Sequence, residues 1–360
     1  MEIAGFRYEL VWEPDARLGW RHIVGAKRHW TAEGDGWIEI NQEGYRDRSR
    51  HVEKAPGTYR VAVFGDSMTE AVQVNLNQTF TYIAEEKLQH ERQNVEVLNF
   101  GVNGYGPLQE LLLFKEEGPR YRPDLVILAV FLDNDVADGH PKLAVGRGRT
   151  PFLSATGDAT RIDYAGAEES SKEYRQQPQY WLRRHSGLYR LLSEWRWRTR
   201  DQVRVQGAQT QGTIPVRFLL YKKSTDLEWE EAWSVFERIL LEFAEEAARQ
   251  ETRLVVLSVP IGFVVNPEAW DGLSRTYPAM KDTTWDLEGP EQRLRAFTQE
   301  HGIPLIPAYQ EFRKAPKSQS LYWGGLGHFN PAGHQVMAGV LSDHLKTRWI
   351  GADRTADRGH

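Results

Sequence analysis

The stretch Val61-Ala62-Val63-Phe64-Gly65-Asp66-Ser67-Met68-Thr69-Glu70 sets an apolar, β-branched run directly against a serine. The run reads as a buried strand, and the abrupt change to polar residues as the turn from strand into helix. A hydroxyl at such a turn can be held rigid, open to a cleft, and near the amides of a helix start, which favour a developing oxyanion. Ser67 is therefore the candidate nucleophile. Serine alone is a weak one, so the reading requires a base and an oxyanion site elsewhere in the chain.

Short apolar runs of the same kind recur at Arg60 to Phe64, Val95 to Phe100, Leu125 to Phe131, Leu254 to Val259 and Ile303 to Ile306. They are typical of parallel strands buried on both faces. Helical segments are predicted between them, near Gln78 to Arg92, Pro107 to Glu117, Thr225 to Gln250 and Pro290 to His301. This alternation implies an α/β fold with a parallel sheet covered on both sides. In the longest helix Trp229, Trp233, Phe236, Leu240, Phe243 and Ala247 recur at helical spacing, a stripe that reads as core, and Thr225 with Glu228 forms a capping box. A last helix opens at Asn330-Pro331, with Val336, Val340, Leu341 and Leu345 as its inward face.

Residues 1–58, rich in Trp, Gly and charge, read as an irregular N-terminal flap with a hairpin, and residues 59–349 as one core. Residues 138–224 interrupt the alternation as an insertion placed to act as a lid, with Gly157-Asp158 as a hairpin turn, and 350–360 form a tail. Within the insertion, Trp181 to Arg200 interleaves tryptophan with arginine. Nucleic acid or an anionic membrane would suit that composition. A helix packing Leu188, Leu191, Leu192 and Trp195 on the core, with its arginines solvated, is the preferred reading.

The 360 residues carry 45 Lys+Arg against 50 Asp+Glu, a net charge of −5, so no basic field favours nucleic acid. There is no cysteine, which excludes disulfides, thiol chemistry and cysteine-held zinc. The start Met1-Glu2-Ile3-Ala4-Gly5-Phe6-Arg7 lacks the pattern of a signal peptide. The longest apolar run, Leu125 to Leu132, is far short of the roughly 18 to 20 residues of a membrane helix. The expectation is a soluble chain without a membrane span, cytoplasmic or a trimmed form of an exported protein.

Among 11 histidines, His328 in Gly327-His328-Phe329-Asn330-Pro331-Ala332-Gly333-His334 is the candidate base, because it precedes a capped helix where a loop can present its ring. His334 lies off that face and reads as structural. Asn99-Phe100-Gly101-Val102-Asn103-Gly104 follows one predicted strand and allows the Gly101 amide to reach a bound carbonyl; Phe131-Leu132-Asp133-Asn134-Asp135 follows the next, with the Asn134 amide as another donor. Both end strands on the sheet edge where open α/β sheets place their sites.

In this order, Gly65-Asp66-Ser67, Gly101, Asn134 and His328 resemble the four blocks of the SGNH hydrolases, or GDSL esterase/lipase family. Leu18-Gly19-Trp20 and Asn41 to Asp47 resemble the leader of a bacterial subgroup. The resemblance implies a three-layer α/β/α sandwich around a five-stranded parallel sheet, flavodoxin-like. It implies Ser67 as nucleophile, His328 as base, and the amides of Ser67 and Gly101 with Asn134 as oxyanion hole, with no metal or organic cofactor. The family's aspartate just before the histidine is absent, since Gly325-Leu326-Gly327 stands there. Asp133 is a possible substitute acid, although a turn carboxylate is its plainer reading. A misoriented imidazole loses roughly 10⁴ in turnover.

Three functions follow: a serine hydrolase for a carboxylic ester, an O-acetyl or short acyl group on a carbohydrate or small metabolite; an O-acyltransferase using the same acyl-enzyme; or a catalytically impaired binding protein, with Leu326 in the acid's place. Tryptophans such as Trp270, Trp285 and Trp323 are candidates for stacking on sugars.

Overall fold

A computed structural model of the chain describes residues 11–91, 94–144, 149–156, 159–189, 192, 214–224, 226–316, 320–325 and 327–350. The leader forms two antiparallel hairpins, β1 (Trp12–Asp15) with β2 (Gly19–His22) and β3 (Lys27–Trp30) with β4 (Gly36–Glu39). The Asp15 carboxylate makes the first turn by accepting from the amides of Arg17 at 2.9 Å and Leu18 at 2.8 Å. The leader is not an irregular flap: Val11, Trp12, Leu18, Trp20, Ile38 and Ile40 are buried in the same core as the central sheet. Its tryptophan-rich composition is that of a segment with its own apolar face to bury.

Behind the leader come β5 (Tyr59–Gly65), β6 (Val95–Gly101), β7 (Leu125–Val130), β10 (Arg253–Ser258) and β11 (Leu305–Pro307), with the insertion's hairpin β8 (Phe152–Thr156) and β9 (Ala159–Asp163) in between. The central sheet is parallel throughout, in the order β11-β10-β7-β5-β6. Alternate residues go to opposite faces. Val61, Val63, Leu125, Ile127 and Leu257 pack with α2 (Phe80–His90) and the Pro331–Leu345 helix, while Ala62, Phe64, Phe100, Leu128 and Val256 pack with α3 (Pro107–Tyr121) and the Leu227–Arg249 helix. The fold is thus a three-layer α/β/α sandwich around a five-stranded parallel sheet.

The aromatic stripe is core, as its periodicity predicts. Phe243 stacks on Phe114 with centroids 5.1 Å apart, and Phe64 on Phe100 at 4.9 Å. Truncating a ring of this kind to alanine costs about 3–5 kcal/mol. The last helix is capped as predicted, with Asn330 Oδ1 accepting from the amides of Ala332 at 2.9 Å and Gly333 at 3.1 Å. The long helix differs at its start: Asp226 is the cap residue and makes no side-chain cap bond, and Thr225 lies outside the described residues.

The insertion also departs from expectation. Leu188 is 68% and Leu192 55% exposed, so neither packs on the core. The helix Pro178–His185 rests on the helix Ala165–Gln176, which packs on β1 and β2, and this makes the segment an outer layer. Leu191, Trp195 and the turn Gly157-Asp158 lie outside the described residues. Among the described residues no helix is long and apolar enough to cross a membrane.

Candidate active site

At the C-terminal end of β5 the chain turns through Asp66 into the four-residue helix α1 (Ser67–Glu70). The Asp66 carboxylate accepts from the Met68 amide at 2.8 Å, and Ser67 opens the turn, where amides have no partner inside the helix. Two glycines let α1 lie this close to the strand ends. A Cβ on Gly65 would sit 2.2 Å from Thr69 Oγ1, and one on Gly101 2.4 Å from the Glu70 amide nitrogen.

His328 comes from the loop before the last helix, held by bonds from the Trp323 amide to the His328 carbonyl at 2.9 Å and from the Asn330 amide to the Leu321 carbonyl at 3.0 Å. Its Nε2 lies 2.8 Å from Ser67 Oγ. Its Nδ1 lies 2.5 Å from Glu33 Oε2, and its backbone amide donates to Glu33 Oε1 at 3.0 Å. Because a carboxylate only accepts, Nδ1 carries the proton and Nε2 is left to accept from the serine hydroxyl. Ser67 and His328, 261 residues apart, are thus brought together.

Glu33 is the residue that sequence reasoning missed. It stands in the turn between β3 and β4, whose next residue, Gly34, has φ +73° and leaves no room for a Cβ, 2.3 Å from the Gln73 carbonyl oxygen and 2.9 Å from the Trp323 ring. A Cβ on Gly327 would lie 1.7 Å from Glu33 Oε1. The residue just before the histidine is therefore a glycine because the carboxylate occupies the space of a side chain. Burial pushes the Glu33 pKa up, yet the bonds and charge of His328 outweigh it and hold the group below its ordinary value. His328 and Glu33 remain 28% and 29% exposed.

Asp133, the carboxylate considered for this place, does not orient the ring. Its Oδ2 accepts from Arg217 Nη1 at 3.1 Å, and burial raises its pKa, with Arg217 and His328 opposing. Asn134 stands at the end of β7, its Nδ2 giving one hydrogen to Asp138 Oδ2 at 2.8 Å and keeping a second. The Gly101 amide donates to Asn99 Oδ1 at 2.9 Å, so it is committed inside the strand end and does not serve as the expected oxyanion donor. A strand's amide pattern is not readable from composition, and neither is a side chain folding back on it.

Beneath Asn134, at the start of α4 (Asp135–Asp138), Asp135 and Glu110 are buried, and both Glu110 oxygens lack a hydrogen-bond partner. Burial and then neighbouring carboxylates push both well above the ordinary carboxylate range. His334 is buried between Phe80 and Phe329, and desolvation lowers its pKa to about 3, in keeping with a neutral structural ring. Trp270 and Trp285 pack against each other at 5.2 Å and join the core beside Phe263. Trp323 alone of the three named tryptophans lies beside the Glu33–His328 pair.

A family model described as GDSL-like lipase/acylhydrolase matches residues 63–336. No curated protein matches the chain. Among solved structures it is similar to a mutant of an acetyl-xylooligosaccharide esterase from Geobacillus Stearmophilus, at 12% identity over 81% of this chain and 95% of that one, with a TM-score of 0.42. It is similar to a lipase/acylhydrolase from Enterococcus faecalis at 12% identity over 81% and 96%, TM-score 0.41. A lipolytic protein of the G-D-S-L family from Veillonella parvula gives 13% identity over 81% and 98%, TM-score 0.41.

Proposed function

The chain belongs to the GDSL-like lipase/acylhydrolase family, and from that premise we propose that it is a serine esterase working through Ser67, His328 and Glu33. One observation carries the reading: the His328 ring is bonded to the Ser67 hydroxyl on one side and to a carboxylate on the other. Ser67 Oγ passes its proton to Nε2 and adds to the ester carbonyl. The Ser67 amide and the second Asn134 Nδ2 hydrogen receive the oxyanion. The imidazolium, stabilised by Glu33, protonates the departing alcohol; the neutral ring then takes a proton from the water that attacks the acyl-enzyme and returns it to Ser67 Oγ as the acid leaves. Glu33 does the work of the absent aspartate, which supports turnover over a binding-only role.

The partly exposed His328 leaves water a path to the acyl-enzyme, which supports hydrolysis over acyl transfer. For the substrate we propose an O-acetyl or other short acyl ester of a carbohydrate or small metabolite, with Trp323 beside the site as a flat surface for a sugar ring. The test is hydrolysis of p-nitrophenyl acetate and of acetylated sugars, with fluorophosphonate labelling, in wild type and Ser67→Ala. Activity and labelling that both vanish in Ser67→Ala are expected; equal hydrolysis by the two proteins would overturn the assignment.

A further inference from the structure

The leader reaches the nucleophile side of the site through a second strap. Glu70 lies three residues after Ser67, and its side chain is 0% exposed; that of His22 on β2 is 1% exposed. His22 Nε2 meets Glu70 Oε1 at 2.9 Å, and His22 Nδ1 meets the Gly44 carbonyl at 3.0 Å. The other carboxylate oxygen, Oε2, accepts from the Asn103 amide. The carbonyl of that same Asn103 accepts from Trp20 Nε1 at 3.0 Å, and the Tyr105 hydroxyl donates to the Trp20 carbonyl at 2.5 Å. Residues 103–105 are thus gripped by α1 on one side and by β2 on the other.

That loop continues from the end of β6, which is tied to the strand end and the turn that carry Ser67. The Val102 amide donates to the Gly65 carbonyl at 3.0 Å, and Asn99 Nδ2 to the Thr69 carbonyl at 2.9 Å. Helix α1 is a single turn, too short to hold its own geometry, so bonds from outside must hold it. Arg46 supplies some of these, donating to the carbonyls of Glu70 at 2.8 Å and Ala71 at 3.0 Å. A buried carboxylate costs several kcal/mol unless it is paired. The proposed chemistry uses no atom of Glu70, so what the paired carboxylate provides is placement.

We propose that Glu70, paired with His22, is a positioning residue that fixes the Asn103 loop against the turn carrying Ser67. The leader then sets the imidazole through Glu33 and the nucleophile through Glu70. This rests on the serine-esterase reading.

The experiment compares wild type, Glu70→Ala and Glu70→Gln on p-nitrophenyl acetate, with competent sites counted by fluorophosphonate titration. Per titrated site, Glu70→Ala should lose about tenfold or more in kcat with KM within about twofold, as expected when reacting groups shift by a fraction of an ångström. Glu70→Gln should recover most of that loss, because its carbonyl can accept from Asn103 while its amide donates to His22. Unchanged kcat in Glu70→Ala, a rise in KM alone, or a loss that Glu70→Gln does not recover would overturn the proposal. Trp20→Phe keeps the ring and removes one bond to Asn103, so it should lower kcat in the same direction by less; full activity there counts against the strap. Hydrogen exchange at residues 102–106 reads the strap without turnover: Glu70→Ala should speed it and Glu70→Gln should not, and equal rates would overturn the proposal. A wild type that neither labels nor hydrolyses would instead remove the esterase reading and leave the exchange result to decide the strap.

Discussion

The described leader, residues 11–58, and the outer segment of the insertion around the helix Pro178–His185 both lie outside the alternating core, and they attach to it in different ways. The leader buries Trp12, Trp20 and Ile38 in the core and sends the fully buried guanidinium of Arg46 to four carbonyls, those of Trp37, Glu70, Ala71 and Val74. Burial lowers the Arg46 pKa to about 10, against the pull of Glu70, so the group stays charged at neutral pH. The outer helix of the insertion leaves Trp181 in solvent, and Leu188 beyond it is exposed as well, while the insertion's last stretch buries Phe218, Leu220 and Tyr221 in the core and sets Arg217 on Asp133. An addition becomes part of a site when its polar groups replace bonds that the core lacks, and when glycines in the core admit it. The leader meets both conditions.

The sharpest way to break this contrast is Glu33→Gln. The carboxylate accepts from two donors of His328, the backbone amide and Nδ1. A carboxamide has one acceptor oxygen, so its NH₂ must face one of those donors or force the ring into the other tautomer, in which Nε2 cannot accept from Ser67. A fall in kcat of roughly 10³–10⁴ is expected in p-nitrophenyl acetate hydrolysis, by analogy with other triads held in the wrong tautomer. A loss under about tenfold would show that something other than the leader orients the ring.

Gly327→Ala attacks the same contact from the core side. The new methyl would overlap Glu33 Oε1, a contact of 1.7 Å, and the carboxylate must withdraw. Turnover should drop by about 10²-fold, the scale of an ångström of misplacement. Pairing it with Glu33→Gln sharpens the test: the double variant should be little worse than Glu33→Gln alone, since both act on one contact.

These contacts also mark where the sequence stops being legible. The sheet strands were readable because burial on both faces leaves continuous apolar runs, and the last helix because Asn330-Pro331 is a local signal. Ser67, His328 and Asn134 each sit at a strand end or before a cap, so short motifs place them. Glu33 lies 295 residues from His328 in a turn of polar residues, with no periodicity to single it out. Its trace is indirect: a missing acid beside the histidine, and a glycine at 327 where a side chain would clash. Leu188 and Leu192 were misread for a different reason, since helical spacing defines a face and says nothing about what lies opposite it.

Stability against pH gives a smaller effect with a defined sign. Glu33 is held below its ordinary pKa in the fold, so its contribution is present above the unfolded value and is lost as pH falls through the folded one. The stability difference between wild type and Glu33→Gln, from urea melts, should therefore be largest near neutrality and shrink below about pH 4, around the ordinary glutamate pKa. With the pair partly exposed, water screens it and the difference stays modest. A difference that grows on acidification would mean that the carboxylate is not held by His328.

The smallest effect belongs to the insertion. In a double variant, Leu188→Ser with Leu192→Ser, two side chains already in water become polar, with no cavity made and no bond removed. Stability should stay within about 0.5 kcal/mol of wild type, the range of surface substitutions, and p-nitrophenyl acetate turnover should not change. If melts instead showed a loss of about 2 kcal/mol or more, the size expected for buried leucines, this outer segment would be packed like the leader and the contrast between the two would fall. The same pair of measurements on Ile38→Ser in the leader should show that larger loss, because Ile38 has no exposed surface and lies on the strand that follows the Glu33 turn.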